Sequence, residues 1–174
     1  NLAKPEPVAI CRLKRVAADL KGEVRSRMPA RVTQRNGWRV ACVGAGPAAL
    51  TVARDLAPLG YEVVVYDGEA RAGGFIRTQI PRFRLPESVI DEEVGYILGV
   101  GVDFRSAQYV KSMKALLAEG FDAVFVGCGA PRGRELDIPG RQDAKANIHI
   151  GIDWLASVYF GHVNRVKSRV IVLG

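Results

Sequence analysis

The sequence is poor in everything from which a disulfide framework or a metal centre is built. Three cysteines (Cys11, Cys42, Cys128) and two histidines (His149, His162) occur among 174 residues. The cysteines are odd in number and widely spaced, which excludes a closed set of bridges and a metal knuckle, and the histidines lack ligand spacing. The expectation is reduced thiols, with Cys42 and Cys128 in buried strands, and no metal. Long apolar runs are also absent. "YEVVVY" and "DAVFVGCGA" fall well short of the ~20 residues that cross a bilayer, and "NLAKPEPVAI" has no signal-peptide core. A cytoplasmic protein without a membrane partner is expected. Aromatic residues make up 7%, and none interleaves with the basic residues of the N-terminal segment before Trp38. Stacking on bases, and with it a nucleic-acid partner, has no support.

What is present suits a folded α/β chain. Apolar residues are 48% and charged residues 25% of the sequence, enough to bury roughly two-thirds of the unfolded surface in one domain. The net charge of +7 is concentrated: residues 1–39 hold ten Lys and Arg against three acids, and the remainder holds fifteen of each sign. Two readings of that segment stand: a solvated helix and loop, or a surface that docks an acidic partner.

The apolar pattern changes at Trp38. Before it, "EPVAICRLKRVAADL" places Ala9, Leu13, Val16, Ala17 and Leu20 at helical spacing, with Pro7 suited to the first turn. Such a stripe must lie on something. "KGEVRSRMPARVTQRNG" is a polar, basic connection. After it, short apolar strands alternate with helices: "RVACVG", "PAALTVARDLAPLG" stopped by Gly60, and "YEVVVYD". A Gly-, Arg- and Pro-rich loop, the helix "ESVIDEEVGYILG" closed by Gly101, the strand "VDFR", the helix "KSMKALLAEG", the buried strand "DAVFVGCG" and the helix "GIDWLASVYF" follow. The final "RVIVLG" repeats "RVACVG" as a strand. This alternation predicts a Rossmann-like α/β fold with a mostly parallel sheet, preceded by an N-terminal helix.

The chemistry centres on Gly44-Ala45-Gly46-Pro47-Ala48-Ala49, a G-x-G-x-x-A string between a strand and a helix. Gly44 permits a sharp turn, Gly46 admits a pyrophosphate close to the backbone, and small Ala49 lets helix pack on strand. Pro47 suits the first helical position, where no N–H is needed, and the helix N-terminus from Ala48 onward points free N–H groups at phosphate. Asp67 ends the second strand, 23 residues after Gly44, where a carboxylate accepts from ribose hydroxyls and repels a 2′-phosphate, favouring FAD or NAD over NADP. The plain alternative is a turn residue before Gly68. Gly73 and Gly74 allow a second stretch of cofactor to approach the backbone, which favours FAD. Arg77, Arg82 and Arg84 either pair with pyrophosphate and tune the flavin or are surface-solvated.

The run "VGAGPAALTVARDLAPLGYEVVVYDGEARAGGFIRTQIPRFRLPESVIDEEVGYILGVGVDFR" and the block "LLAEGFDAVFVGCGAPRGRELDIPG" resemble the FAD-binding region of the NADPH-dependent glutamate synthase small subunit and the matching domain of dihydropyrimidine dehydrogenase. The similarity covers residues 6–174. It implies FAD held by Gly44, Gly46, Pro47, Ala48, Asp67, Gly73, Gly74, Arg77 and Gly129, with NADPH on a second domain opened by "RVIVLG". Three parts follow: a helix and basic linker over 1–36, a partial FAD-binding domain over 37–168, and the first strand of an NAD(P)H-binding domain over 169–174. Iron–sulfur centres belong outside this chain, since such proteins carry N-terminal cysteine clusters and the segment before Pro7 has none. The chain reads as a fragment, weak in FAD binding by itself.

Three departures accompany the resemblance: Ala49 for the more usual third glycine, Asp67 for a common glutamate, and "GCG" at 127–129 for "ATG". Cys128 is expected as a buried strand-end thiol rather than a redox nucleophile. The function implied is a flavin module passing electrons from NADPH through FAD to iron–sulfur centres or an electron-accepting subunit. No acid, base or nucleophile of this chain is required for the hydride step. The alternatives are a non-catalytic NAD-binding regulatory domain and an interaction module docked through the basic segment.

Overall fold

The structure, a computed structural model, describes residues 7–173. Its centre is a four-stranded, all-parallel sheet of β1 (Arg39–Val43), β2 (Glu62–Tyr66), β3 (Asp103–Arg105) and β4 (Ala123–Val126) in the order β3-β2-β1-β4. β1 pairs with β2 from Arg39 opposite Glu62 to Val43 opposite Tyr66, and with β4 from Val40 opposite Ala123 to Val43 opposite Val126. The helices are α1 (Ile10–Asp19), α2 (Pro47–Leu56), α3 (Phe75–Thr78), α4 (Glu87–Gly99), α5 (Met113–Ala118) and α6 (Gly151–Tyr159).

Side-chain alternation distributes the strands between two cores. Val40, Cys42, Val63 and Val65 point to one face and pack with Ala49, Leu50 and Ala53 of α2 and with Val100 after α4. Ala41, Val64 and Tyr66 point to the other and meet Leu116 of α5 and Phe121. Val63, Val64 and Val65 are at most 1% exposed, so each contributes on the order of 1.5–3 kcal/mol of transfer free energy. β-branched residues suit this fully covered position because a parallel sheet hides both faces.

Parts of the expected pattern are corrected. α1 begins at Ile10, so Pro7 precedes it, and Glu6 lies outside the described residues. Its apolar stripe is left exposed: Leu13, Val16 and Leu20 are 52–79% exposed, and Ala9 and Ala17 are exposed as well. β4 is an edge strand, with Ala123 and Val126 exposed, not a buried one, because β1 flanks it on one side only. Residues 169–173 are in no strand, and Ile171 and Val172 are each 87% exposed. A strand exists through hydrogen bonds to a neighbour, and none of the four described strands pairs with this stretch; Gly174 lies outside the described residues. Within the Arg- and Gly-rich loop the structure adds α3, which the breaker residues around it obscured.

The basic linker is tied down by the domain's own acceptors. Lys21 reaches Glu93 at 2.6 Å and Glu92 at 3.3 Å on α4, which raises its pKa, first through the Glu93 hydrogen bond. Arg35 donates to the Tyr61 carbonyl at 2.8 Å, and Arg39 to Glu62 at 3.1 Å and to the Glu119 carbonyl at 2.9 Å. Part of the local charge excess is thus matched internally.

Candidate functional site

The strand order fixes where a ligand can sit. β1 connects forward to β2 on one side and is bordered by β4 on the other, so the carboxyl ends of β1 and β4 form the topological switch point of a doubly wound sheet, where ligands of such folds bind. The fingerprint lies there. Gly44 turns the chain at φ 97°, with its N–H donated to the Tyr66 carbonyl at 2.8 Å. A Cβ on Gly44 would stand 2.5 Å from the Gly127 carbonyl oxygen, so the turn and the closeness of β4 both demand glycine.

Gly46 is glycine for the opposite reason. A Cβ there would meet nothing within 4 Å. It is the N-cap of α2, with no side-chain cap, Pro47 at the first turn, and Pro47 and Ala48 exposed. The helix therefore presents uncapped amides and its positive end to open space.

Ala49 and Gly127 explain two of the sequence departures together. Ala49 is fully buried, and a Cβ on Gly127 would lie 3.2 Å from its methyl. The methyl absent from 127 is the methyl present at 49, so the contact keeps its volume with the sizes exchanged.

Asp67 leaves β2 toward the same turn. Its Oδ2 accepts the Ala45 N–H at 2.5 Å, and its Oδ1 accepts the Glu69 N–H at 2.8 Å. Each carboxylate oxygen retains a lone pair for a hydroxyl donor. The buried backbone of Ala45, which sequence reasoning passed over, is a junction: its N–H holds Asp67 and its carbonyl accepts the Gly73 N–H at 2.8 Å.

Gly73 and Gly74 meet the fingerprint turn. Gly74, at φ 55°, would place a Cβ 2.8 Å from the Gly46 Cα, and Gly73 has φ 131°. Their bare backbones seat the loop on the fingerprint turn itself.

Arg77 is corrected in one respect. It is not surface-solvated: it is 4% exposed, and its guanidinium donates to the Ala72 carbonyl at 2.7 Å, Asp91 at 2.8 Å and Glu87 at 3.3 Å. Arg71 also grips Asp91 and Glu87, and Tyr159 of α6 donates to Glu87 at 3.2 Å. The Arg77 hydrogen bond, followed by that from Arg71, holds the Asp91 carboxyl below its ordinary pKa. Glu87 and Asp91, one helical turn apart on α4, were the unread signal, a pair of acids facing an Arg-rich loop. Arg82 is exposed over the Tyr159 ring at 5.2 Å, and Arg84 is exposed.

Gly129 lies beyond β4 at φ 67° with open space about it, away from strand pairing. Cys128 is exposed rather than buried, because the chain leaves the sheet edge before reaching it. Cys42 is buried in β1, and desolvation raises its pKa to about 11. Two shallow hollows of about 310 and 280 Å³ lie among residues 135–163. Neither reaches the fingerprint and their walls are largely exposed loop, so turn geometry and not surface concavity places the site. Among the described residues no cluster of three His, Cys, Asp or Glu suits a metal, and no helix is long and apolar enough to cross a membrane.

Fold and turn together define a Rossmann-like dinucleotide-binding unit. Comparison with known proteins agrees: residues 42–112 match the family described as NAD(P)-binding Rossmann-like domain. The chain is 32% identical, over 97% of its length and 26% of the relative's, to the NADPH-Fe(3+) oxidoreductase subunit beta of Geobacter sulfurreducens. It is 34% identical to the NAD-dependent dihydropyrimidine dehydrogenase subunit PreT of Escherichia coli, over 97% of this chain and 40% of that one. It is 38% identical to the glutamate synthase [NADPH] small chain of Mycobacterium tuberculosis, over 70% and 25%. The chain is similar to these oxidoreductase subunits over most of its own length, and spans about a quarter to two-fifths of the length of the curated relatives named. A solved structure, Mycobacterium tuberculosis FprA in complex with NADPH, shares the fold with a TM-score of 0.61 at 22% identity, covering 69% of this chain and 28% of that one.

Proposed function

We propose that these residues form the first part of the FAD-binding domain of an NAD(P)H-dependent oxidoreductase, the intact protein passing electrons from NADPH to iron–sulfur centres or a partner subunit. The observation that carries this reading is the conjunction at Gly46: open space where a side chain would stand, an uncapped α2 amino end beside it, and Asp67 anchored at the same turn. The residues present fit an adenine dinucleotide. Amides at the start of α2 would receive the diphosphate, and Asp67 would accept from the ribose while its two N–H bonds keep it oriented. A bound flavin would supply the conversion between two-electron and one-electron transfer. This chain's own residues bind and orient.

Residues 37–168 constitute that partial domain in this reading, 169–174 open an NAD(P)H-binding domain, and partners are the remainder of the polypeptide or an electron-accepting subunit. A cytoplasmic location is part of this reading. The relatives' printed names, which include NADPH-Fe(3+) oxidoreductase and glutamate synthase [NADPH], support the electron-transfer class.

The test uses the full-length protein. It should purify yellow, with flavin released on denaturation, and Gly46→Ala should sharply weaken flavin retention while leaving the thermal stability of the apoprotein nearly unchanged, since a Cβ there meets no protein atom within 4 Å. A colourless full-length protein that binds NAD tightly would overturn the flavin assignment in favour of a nicotinamide-sensing module.

A further inference from the structure

We propose that Arg77 is a positioning residue for the dinucleotide cradle, through which Glu87 and Asp91 of α4 fix the fingerprint turn; this rests on the flavin reading above. The argument begins with one peptide unit. The Ala72 carbonyl and the Gly73 N–H belong to the same planar group, so fixing the direction of one fixes the other. Arg77 Nε donates to that carbonyl at 2.7 Å, and the N–H on the opposite side donates to the Ala45 carbonyl at 2.8 Å. Ala45 in turn donates to Asp67 at 2.5 Å.

A continuous chain of hydrogen bonds therefore runs from the α4 carboxylates through a guanidinium, a clamped peptide and Ala45 to the carboxylate that faces the ribose. Glycine at 73 makes the clamp necessary. At φ 131° this backbone has no side chain to restrict it, and an unclamped 72–73 peptide is free to rotate and strip Ala45 of its donor. The Arg77 side chain is 3% exposed and held at three points. A buried planar cation of this kind fixes geometry where a flexible ammonium does not.

The experiment compares Arg77→Met, Arg77→Lys and Asp91→Asn in the full-length protein, reading FAD affinity by flavin fluorescence and Gly73 amide exchange. Affinity is measured well below the unfolding midpoint, where a domain that is destabilised yet folded keeps its intrinsic affinity. The expected result is about a tenfold loss for Arg77→Met, partial rescue by Arg77→Lys, and about a threefold loss for Asp91→Asn, as for breaking charged hydrogen bonds. Faster Gly73 exchange should accompany each loss. Asp91 is 46% exposed, so its variant folds even if Arg77→Met does not. Folded variants with FAD affinity within about twofold of the parent and unchanged Gly73 exchange overturn the clamp. A parent protein without FAD affinity overturns the cofactor role itself, and Gly73 exchange then still decides whether the clamp exists.

Discussion

Residues 39–43 read RVACV and residues 169–173 read RVIVL, yet they have opposite fates. The first lies between β2 and β4, with Val40, Ala41 and Cys42 at most 6% exposed; in the second, Val170, Ile171, Val172 and Leu173 are 59–87% exposed and unpaired. If local preference made the strand, the second stretch, richer in branched residues, would be the better one. The difference is neighbours: β1 is hydrogen-bonded on both sides and covered on both faces, whereas 169–173 meets no described strand. Strand identity in this molecule is a tertiary property.

That contrast can be broken or sharpened by substitution. The largest effect is expected at the turn ending the first stretch. Gly44→Ala combines a strained φ with a clash against the Gly127 backbone, and should cost about 3–5 kcal/mol in urea unfolding. Val64→Ala, in the core beside β1, should cost about 2 kcal/mol, while Ile171→Ala should change stability by less than about 0.5 kcal/mol. Equal effects would refute the role given to neighbours. Gly127→Ala alone should cost about 1–2 kcal/mol by overpacking against the Phe125 ring edge and Ala49, and adding Ala49→Gly should recover the Ala49 part of it, a coupling readable in a double-mutant cycle. The smallest expectation involves no change in stability. A thiol reagent at pH 8 should modify Cys11 and Cys128 in the native protein and spare Cys42, which is buried with a pKa of about 11, until denaturant is added. Rapid native labelling of all three would show that β1 is not sealed.

Much of the fold was legible because its signals are local and strong. The alternation in Glu62–Tyr66, the Gly60 stop at φ 91°, and the fingerprint's strand-to-helix context each report their own neighbourhood. The parts that escaped depend on distant partners. Nothing near Cys128 says that β4 is a sheet edge. Nothing in the stripe of α1 says that no described element covers it. Of the candidate site, Gly44, Gly46 and Asp67 lie at one turn, Gly73 and Gly74 pack on that turn, and Arg77 sits in a buried ion cluster. A guanidinium in a loop suits a phosphate and a carboxylate equally well; only the placement of Glu87 and Asp91 distinguishes them.

The meeting of Gly44, Ala49 and Gly127 has a further consequence for anyone who would redesign this protein. Where three backbones touch through hydrogen and a single methyl, there is no adjustable volume, and mutagenesis libraries directed there will return mostly unfolded clones. Gly46 borders unfilled space instead, so a small side chain can be introduced there while the scaffold stays intact.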